Sequence, residues 1–152
     1  MTKGNVVVRK LTEDDHAAWL LLWGGYLAFY KSALPNEITA LTWSRLMEDE
    51  TIHGWCAVLD GKVIGICHAL EHGSSWSVAP YVYLEDLFVD PEIRNSGAGR
   101  VLIEAVYAHA DKIGSSKVYW QTDFTNETAR KLYDKIGEQS GAMVYQRKRE
   151  SL

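Results

Sequence analysis

Arg94-Asn95-Ser96-Gly97-Ala98-Gly99 stands between a β-rich run ending at Asp90-Pro91 and a stretch of helical periodicity that opens at Ala98. A helix beginning on glycines presents free N–H groups and the positive end of its dipole to an anion, and glycine lets the main chain approach a phosphate closely. Taken alone, a Gly-x-Gly pair reads more readily as a strand-to-helix turn that needs two flexible residues. Better-known phosphate loops fit less well. A dinucleotide fingerprint requires a third glycine where Leu102 stands, and no Gly-Lys-Ser/Thr follows for a P-loop.

Upstream of that turn, Glu85 and Asp86 are adjacent in the run Tyr81 to Val89. Two neighbouring carboxylates suit proton uptake and the binding of a cationic group. Strand alternation sends neighbours to opposite faces, so both can serve one site only across a bulge; otherwise one is structural. Trp23, Tyr26 and Tyr30 recur at intervals of three and four, and Trp76 precedes the same run. Such a stripe ordinarily belongs to a core; the alternative is a ligand wall whose π faces favour a cation.

The elements that must position these residues follow from periodicity. Asn5 to Arg9 is a β-branched run, and Thr12 with Asp15 resembles a capping box for a helix from Glu13 to about Lys31, weakened at Gly24-Gly25. After the break at Leu34-Pro35-Asn36, Thr42 is expected to cap a second helix to about Asp49. Trp55–Leu59 and Val63–Leu70 flank Asp60-Gly61-Lys62, a hairpin signal, and Tyr81–Val89 extends the meander. Leu102, Ala105, Val106, Ala110 and Ile113 line one face of a helix from Ala98 to Ile113. A strand over Lys117–Thr122, a helix over Asn126–Ile136 and a closing strand over Met143–Arg147 complete the order β-α-α-β-β-β-α-β-α-β. The fold class expected is α/β, a mixed sheet in one domain over residues 1–152, with antiparallel strands first and a crossover later.

With 152 residues, 47% hydrophobic and 24% charged, the chain has an ordinary globular composition. Sixteen Lys and Arg against 20 Asp and Glu give a net charge of −4, which disfavours nucleic acid as the main partner and permits a cationic one. No apolar run is long enough for a membrane span or a signal peptide, so a cytoplasmic location is expected. Cys56 and Cys67 fall in strand-like runs and read as buried thiols. Neither has an evident basic partner, and Ser74, Ser75 and Ser77 lack a nucleophile elbow, so a covalent enzyme intermediate has little support. His68 and His72 lie on a strand and its exit, which disfavours a metal pair; no metal is expected.

From Tyr83 to Tyr145 the sequence resembles the GNAT superfamily of acyl-CoA N-acyltransferases. The Arg/Gln-x-x-Gly-x-Gly/Ala turn matches as Arg94, Gly97 and Gly99, and an Asn-x-x-Ala-x-x-Leu-Tyr signature matches as Asn126, Ala129, Leu132 and Tyr133. The motifs come in the correct order about 30 residues apart, and the element order agrees along the whole chain. The motifs are closest to those of spermidine/spermine acetyltransferases and small histone or polyamine acetyltransferases.

The resemblance implies acetyl-CoA as co-substrate. The main chain of Arg94, Asn95, Ser96, Gly97, Ala98, Gly99 and Arg100 would bind the pyrophosphate, and the strand edge at Leu87, Phe88 and Val89 would pair with pantetheine. The strand would splay from Lys117–Thr122 to leave a slot for the acetyl group, and Asn126 would lie near the pantetheine arm. An amine attacks a thioester only as the neutral base, so a general base is required, and the expelled thiolate needs an acid. Tyr133 matches the family's acid, and Glu85 matches the glutamate of the similar Leu-Glu-Asp-Phe-Phe-Val segment. Glu85, Asp86, Trp23, Tyr26, Tyr30 and Trp76 are the candidates for binding the acceptor, a polyamine, a lysine-like amino acid or a basic protein tail. Trp120 is expected beneath the site. A homodimer through the exposed edge of the closing strand is expected. A CoA-binding regulatory module without turnover is the competing reading.

Overall fold

In the computed structural model residues 5–93 and 96–149 are described, and they form two compact units divided between Gln121 and Thr122. Arg94 and Asn95 lie outside the described residues. The first unit contains β1 (Val7–Lys10), a 3-10 turn (Glu13–Asp15), α1 (His16–Phe29), α2 (Asn36–Glu48), β2 (Ile52–Leu59), β3 (Lys62–Ser74), β4 (Ser77–Val89), α3 (Ala98–Ile113) and β5 (Val118–Tyr119). One sheet runs in the order β1-β2-β3-β4-β5; the first four strands are antiparallel and β5 is parallel to β4. The mixed sheet and the β4–α3–β5 crossover are as the sequence predicts.

α1 is apolar on most sides, and its Trp19, Leu22 and Trp23 join Leu11, Leu46, Cys56 and Ile66 in one core. Gly25 lets α1 come close to the sheet, because a Cβ there would stand 2.9 Å from the Phe88 ring. α3 covers the opposite face, with Leu102, Ile103 and Val106 fully buried. It ends at Gly114, left-handed at φ 77°, which closes the helix without a Cβ penalty. At the front of α1, the Thr12 N–H donates to Asp15 Oδ2 at 2.8 Å, the expected capping interaction. Asp15 also accepts a two-pronged hydrogen bond from Arg9, at 2.7 and 2.9 Å.

Several boundaries differ from the expected ones. α2 begins at Asn36 behind Pro35, six residues before Thr42. Proline suits the entrance of a helix as well as a break, and Thr42 instead returns its hydroxyl hydrogen to the Ile38 carbonyl. β3 and β4 extend to a tight turn at Ser74–Ser77, so the polar stretch after Leu70 is strand. β5 keeps only Val118–Tyr119 of the run to Thr122.

The second unit holds α4 (Glu127–Ile136), capped by Asn126 Oδ1, which accepts from the Ala129 N–H at 3.3 Å. The expected closing strand at Met143–Arg147 is absent: those residues make no ladder, and Met143, Val144 and Tyr145 are largely exposed. β propensity alone does not form a strand. The strand edge on which a homodimer was expected is therefore not present. Among the described residues, no helix is long and apolar enough to cross a membrane.

Candidate active site

β4 carries the site because it is paired differently along its two edges. Toward β3 it is bonded out to Val89, whereas toward β5 only Val82 and Tyr83 have partners, opposite Val118 and Tyr119. From Leu84 onward the β5-side edge has no ladder partner among the described residues. The strand pair splays there, and the edge past the bulge, through Leu87, Phe88 and Val89, is open to an added extended chain.

The opening begins at a bulge. His68 faces Asp86 and Ala69 faces Leu84, so Glu85 is the extra residue of β4. Bulges interrupt alternation and re-aim side chains, the condition under which Glu85 and Asp86 can serve one site. Asp86 turns toward α1, where Oδ1 accepts from the Tyr26 hydroxyl at 2.6 Å and Oδ2 lies 2.9 Å from His68 Nδ1. The Trp19 indole N–H donates to His68 Nε2 at 2.9 Å. That bond makes Nε2 the acceptor, so Nδ1 carries the hydrogen and donates it to Asp86. Trp19 is fully buried and His68 nearly so. The chain Trp19–His68–Asp86–Tyr26 therefore fixes the Asp86 carboxylate from two sides.

Glu85 is exposed, and no hydrogen bond reaches its carboxylate among the described residues. Partial burial and then the neighbouring Asp86 charge hold its pKa above the ordinary glutamate value, with His68 opposing. Burial first, then Asp86, raises Tyr26 well above the usual phenol, so it remains a donor. Burial pushes the Cys56 thiol up to about 11 and raises Cys67 further, so neither is a thiolate nucleophile at neutral pH.

The aromatic stripe divides. Trp23 is core, stacked between Trp19 and Tyr26, with its indole N–H on Thr39 Oγ1 at 3.3 Å. Tyr26 touches the site through Asp86, and Tyr30 packs on Tyr26 with its ring half exposed. Trp76 is not brought to them. It stands 88% exposed at the β3–β4 turn, nine residues from Glu85 along β4, about 30 Å at roughly 3.3 Å per residue. Trp120 packs near the Tyr107 ring of α3.

The α3 entrance fits an anion. Gly97 is left-handed at φ 79°, a Cβ there would meet open space, and the first turn of α3 carries no acidic residue. Ser96 Oγ accepts the Ala98 N–H at 3.3 Å, a long bond, and the Arg100 side chain is turned to Glu104 at 2.8 Å on the surface. What Arg100 and Gly99 offer is main chain at a helix N-terminus. Asn126 and Tyr133 belong to α4 in the second unit, with Tyr133 half-buried. The sequence did not disclose Trp19 and His68 as site residues. The signal for His68 lies in the cross-strand register, which the bulge shifts, and that for Trp19 in the packing of α1 on the sheet.

Residues 13–137 match the acetyltransferase (GNAT) family. A D-amino-acid N-acetyltransferase of Saccharomyces cerevisiae is 38% identical over 151 residues, covering 97% of this chain and 93% of that protein. A thialysine N-epsilon-acetyltransferase of Caenorhabditis elegans is 29% identical over 125 residues, 80% of this chain and 76% of that one. The fold matches a solved aminoglycoside acetyltransferase in complex with a CoA bisubstrate analogue at a TM-score of 0.82 and 21% identity, covering 95% and 99% of the two chains. The chain belongs to the acetyltransferase (GNAT) family. It is an acetyl-CoA-dependent N-acetyltransferase.

Proposed function

We propose that the enzyme acetylates the primary amine of a small molecule by direct transfer, with Glu85 as general base and Tyr133 as general acid. The observation that carries this reading is the Glu85–Asp86 pair at the β4 bulge, where the strand's free edge begins. Acetyl-CoA supplies an acetyl group activated as a thioester.

The free edge at Leu87, Phe88 and Val89 pairs with the pantetheine amides, and the main chain from Arg94 to Arg100 holds the pyrophosphate. Asn126, besides capping α4, is the candidate for the pantetheine arm on the family motif. Asp86, held by Tyr26 and His68, attracts the acceptor ammonium and orients it. Glu85, without a hydrogen bond among the described residues, takes one proton from the ammonium so that the neutral nitrogen can bond to the acetyl carbon, and the nitrogen's second proton leaves to solvent as the amide forms. Tyr133 protonates the sulfur as the carbon–sulfur bond breaks. Tyr26 and Tyr30 wall the acceptor side. The family match spans both compact units, which supports one catalytic domain over the chain.

For the acceptor, the relative at 38% identity over 97% of the chain supports an amino-acid amine, D-amino acids first. Thiol release with acetyl-CoA and a panel of D-amino acids, thialysine, spermidine, an aminoglycoside and a histone-tail peptide tests this. The highest kcat/KM is expected for an amino acid. A clear preference for spermidine or the peptide overturns the acceptor assignment, and CoA binding without release for any amine overturns the catalytic roles.

A further inference from the structure

On the α3 face of the sheet, His53 of β2, Glu71 of β3 and His109 of α3 converge. His53 Nε2 lies 2.7 Å from Glu71 Oε2, His109 Nε2 lies 3.5 Å from Glu71 Oε1, and the imidazole centroids are 4.3 Å apart. The three ligand atoms fall within 4.8 Å of one another. His109 Nε2 is shut off from solvent and has no hydrogen-bond partner among the described residues, with Glu71 Oε1 at 3.5 Å only at ion-pair distance. A buried imidazole nitrogen without a partner is costly unless something else satisfies it.

We propose that His53, Glu71 and His109 form a binding site for a divalent transition metal of the zinc type, held through His53 Nε2, one Glu71 oxygen and His109 Nε2 with a fourth position open to water. Imidazole and carboxylate suit such an ion. Bonds of about 2.0–2.1 Å in a tetrahedron place ligand atoms about 3.3 Å apart. His109 Nε2 stands 3.5 Å from Oε1 and His53 Nε2 2.7 Å from Oε2, so the Glu71 carboxylate must turn to offer one oxygen to both imidazoles at that spacing. Two ligands stand on paired strands and one on the helix that covers them, so the ion would fasten α3 to the sheet. The reacting groups are not involved, because Asp86 and His68 turn to the α1 face.

One neighbour opposes the ion. Lys10 Nζ lies 2.9 Å from His53 Nδ1 and 4.1 Å from the Trp55 ring centroid. An ammonium repels a divalent cation, and as a donor it holds His53 in the tautomer whose Nε2 carries the hydrogen. Lys10 therefore weakens the site, and removing its charge while keeping an apolar stem over Trp55 should tighten it.

Tag-free, chelator-treated full-length protein, titrated calorimetrically with zinc chloride and by absorption with Co2+, tests the proposal. One equivalent of zinc is expected, together with visible Co2+ bands of tetrahedral intensity. Glu71→Gln and His109→Gln should each weaken zinc by roughly tenfold or more, and Lys10→Met should tighten it. Absence of stoichiometric zinc binding to the wild type overturns the site. So does affinity unmoved by either ligand substitution, which would place the ion elsewhere. Should the ligand variants not fold, the wild-type Co2+ spectrum decides, and absent tetrahedral bands overturn it.

Discussion

Asp86 receives the Tyr26 hydroxyl at 2.6 Å, across the gap between β4 and α1. The bond ties the candidate acceptor-binding carboxylate to the helix that walls it. Tyr26→Phe removes the donor and leaves Asp86 Oδ1 short of a partner in a half-buried place. A loss of about 1–2 kcal/mol in stability is expected, read by denaturant titration. KM for the amine should rise while KM for acetyl-CoA holds; equal effects on both substrates would detach Tyr26 from the acceptor.

Asp86→Asn removes the like charge beside Glu85. Burial is the larger cause of the raised Glu85 pKa and Asp86 the next, so the acid limb of kcat/KM should move to lower pH without disappearing. The amine KM should rise by about tenfold, roughly 1.4 kcal/mol of lost attraction. A limb that stays in place would show that Asp86 does not act on the base.

Gly97 holds φ 79° at the start of α3 with open space where a Cβ would go. The cost of Gly97→Val is therefore backbone strain of about 1–3 kcal/mol, not collision. The turn should shift and the acetyl-CoA KM should rise at least about tenfold, measured by thiol release. Unchanged affinity would show that the pyrophosphate is held elsewhere.

Asp15 is held down to about 2 from an ordinary 3.8, chiefly by its hydrogen bond with Arg9. A depressed carboxyl stabilises the fold above its unfolded pKa, and that contribution drains away as pH falls from about 4 toward 2. Asp15→Asn should lower the melting temperature at pH 7 and flatten its fall across that acid window. An equally steep acid loss in the variant would locate the titrating group elsewhere.

The strands, the α3 stripe and the hairpin at Asp60-Gly61 were legible because period and turn chemistry are local. Gly25 shows the limit. Its sequence signal is helix weakness, yet its role is the close approach of Phe88, a fact of tertiary packing. Likewise Glu85 and Asp86 were visible as a pair, but the bulge that frees them from alternation arises in the pairing with His68 and Ala69. Met143–Arg147 looked like a strand from its residues, and only the sheet's edges decide whether such a run is paired.

The central claim, that Glu85 is the base, is tested most directly by the pH dependence of kcat/KM for wild type and Glu85→Gln with one amine acceptor. When the enzyme's carboxylate takes the proton of the bound ammonium, the wild-type profile should be level between the raised Glu85 pKa and the amine pKa near 10. Glu85→Gln should lose about 10²–10⁴-fold near neutral pH, and its rate should climb about tenfold per pH unit toward the amine pKa. A variant within about threefold of wild type, with the same level profile, would contradict the assignment.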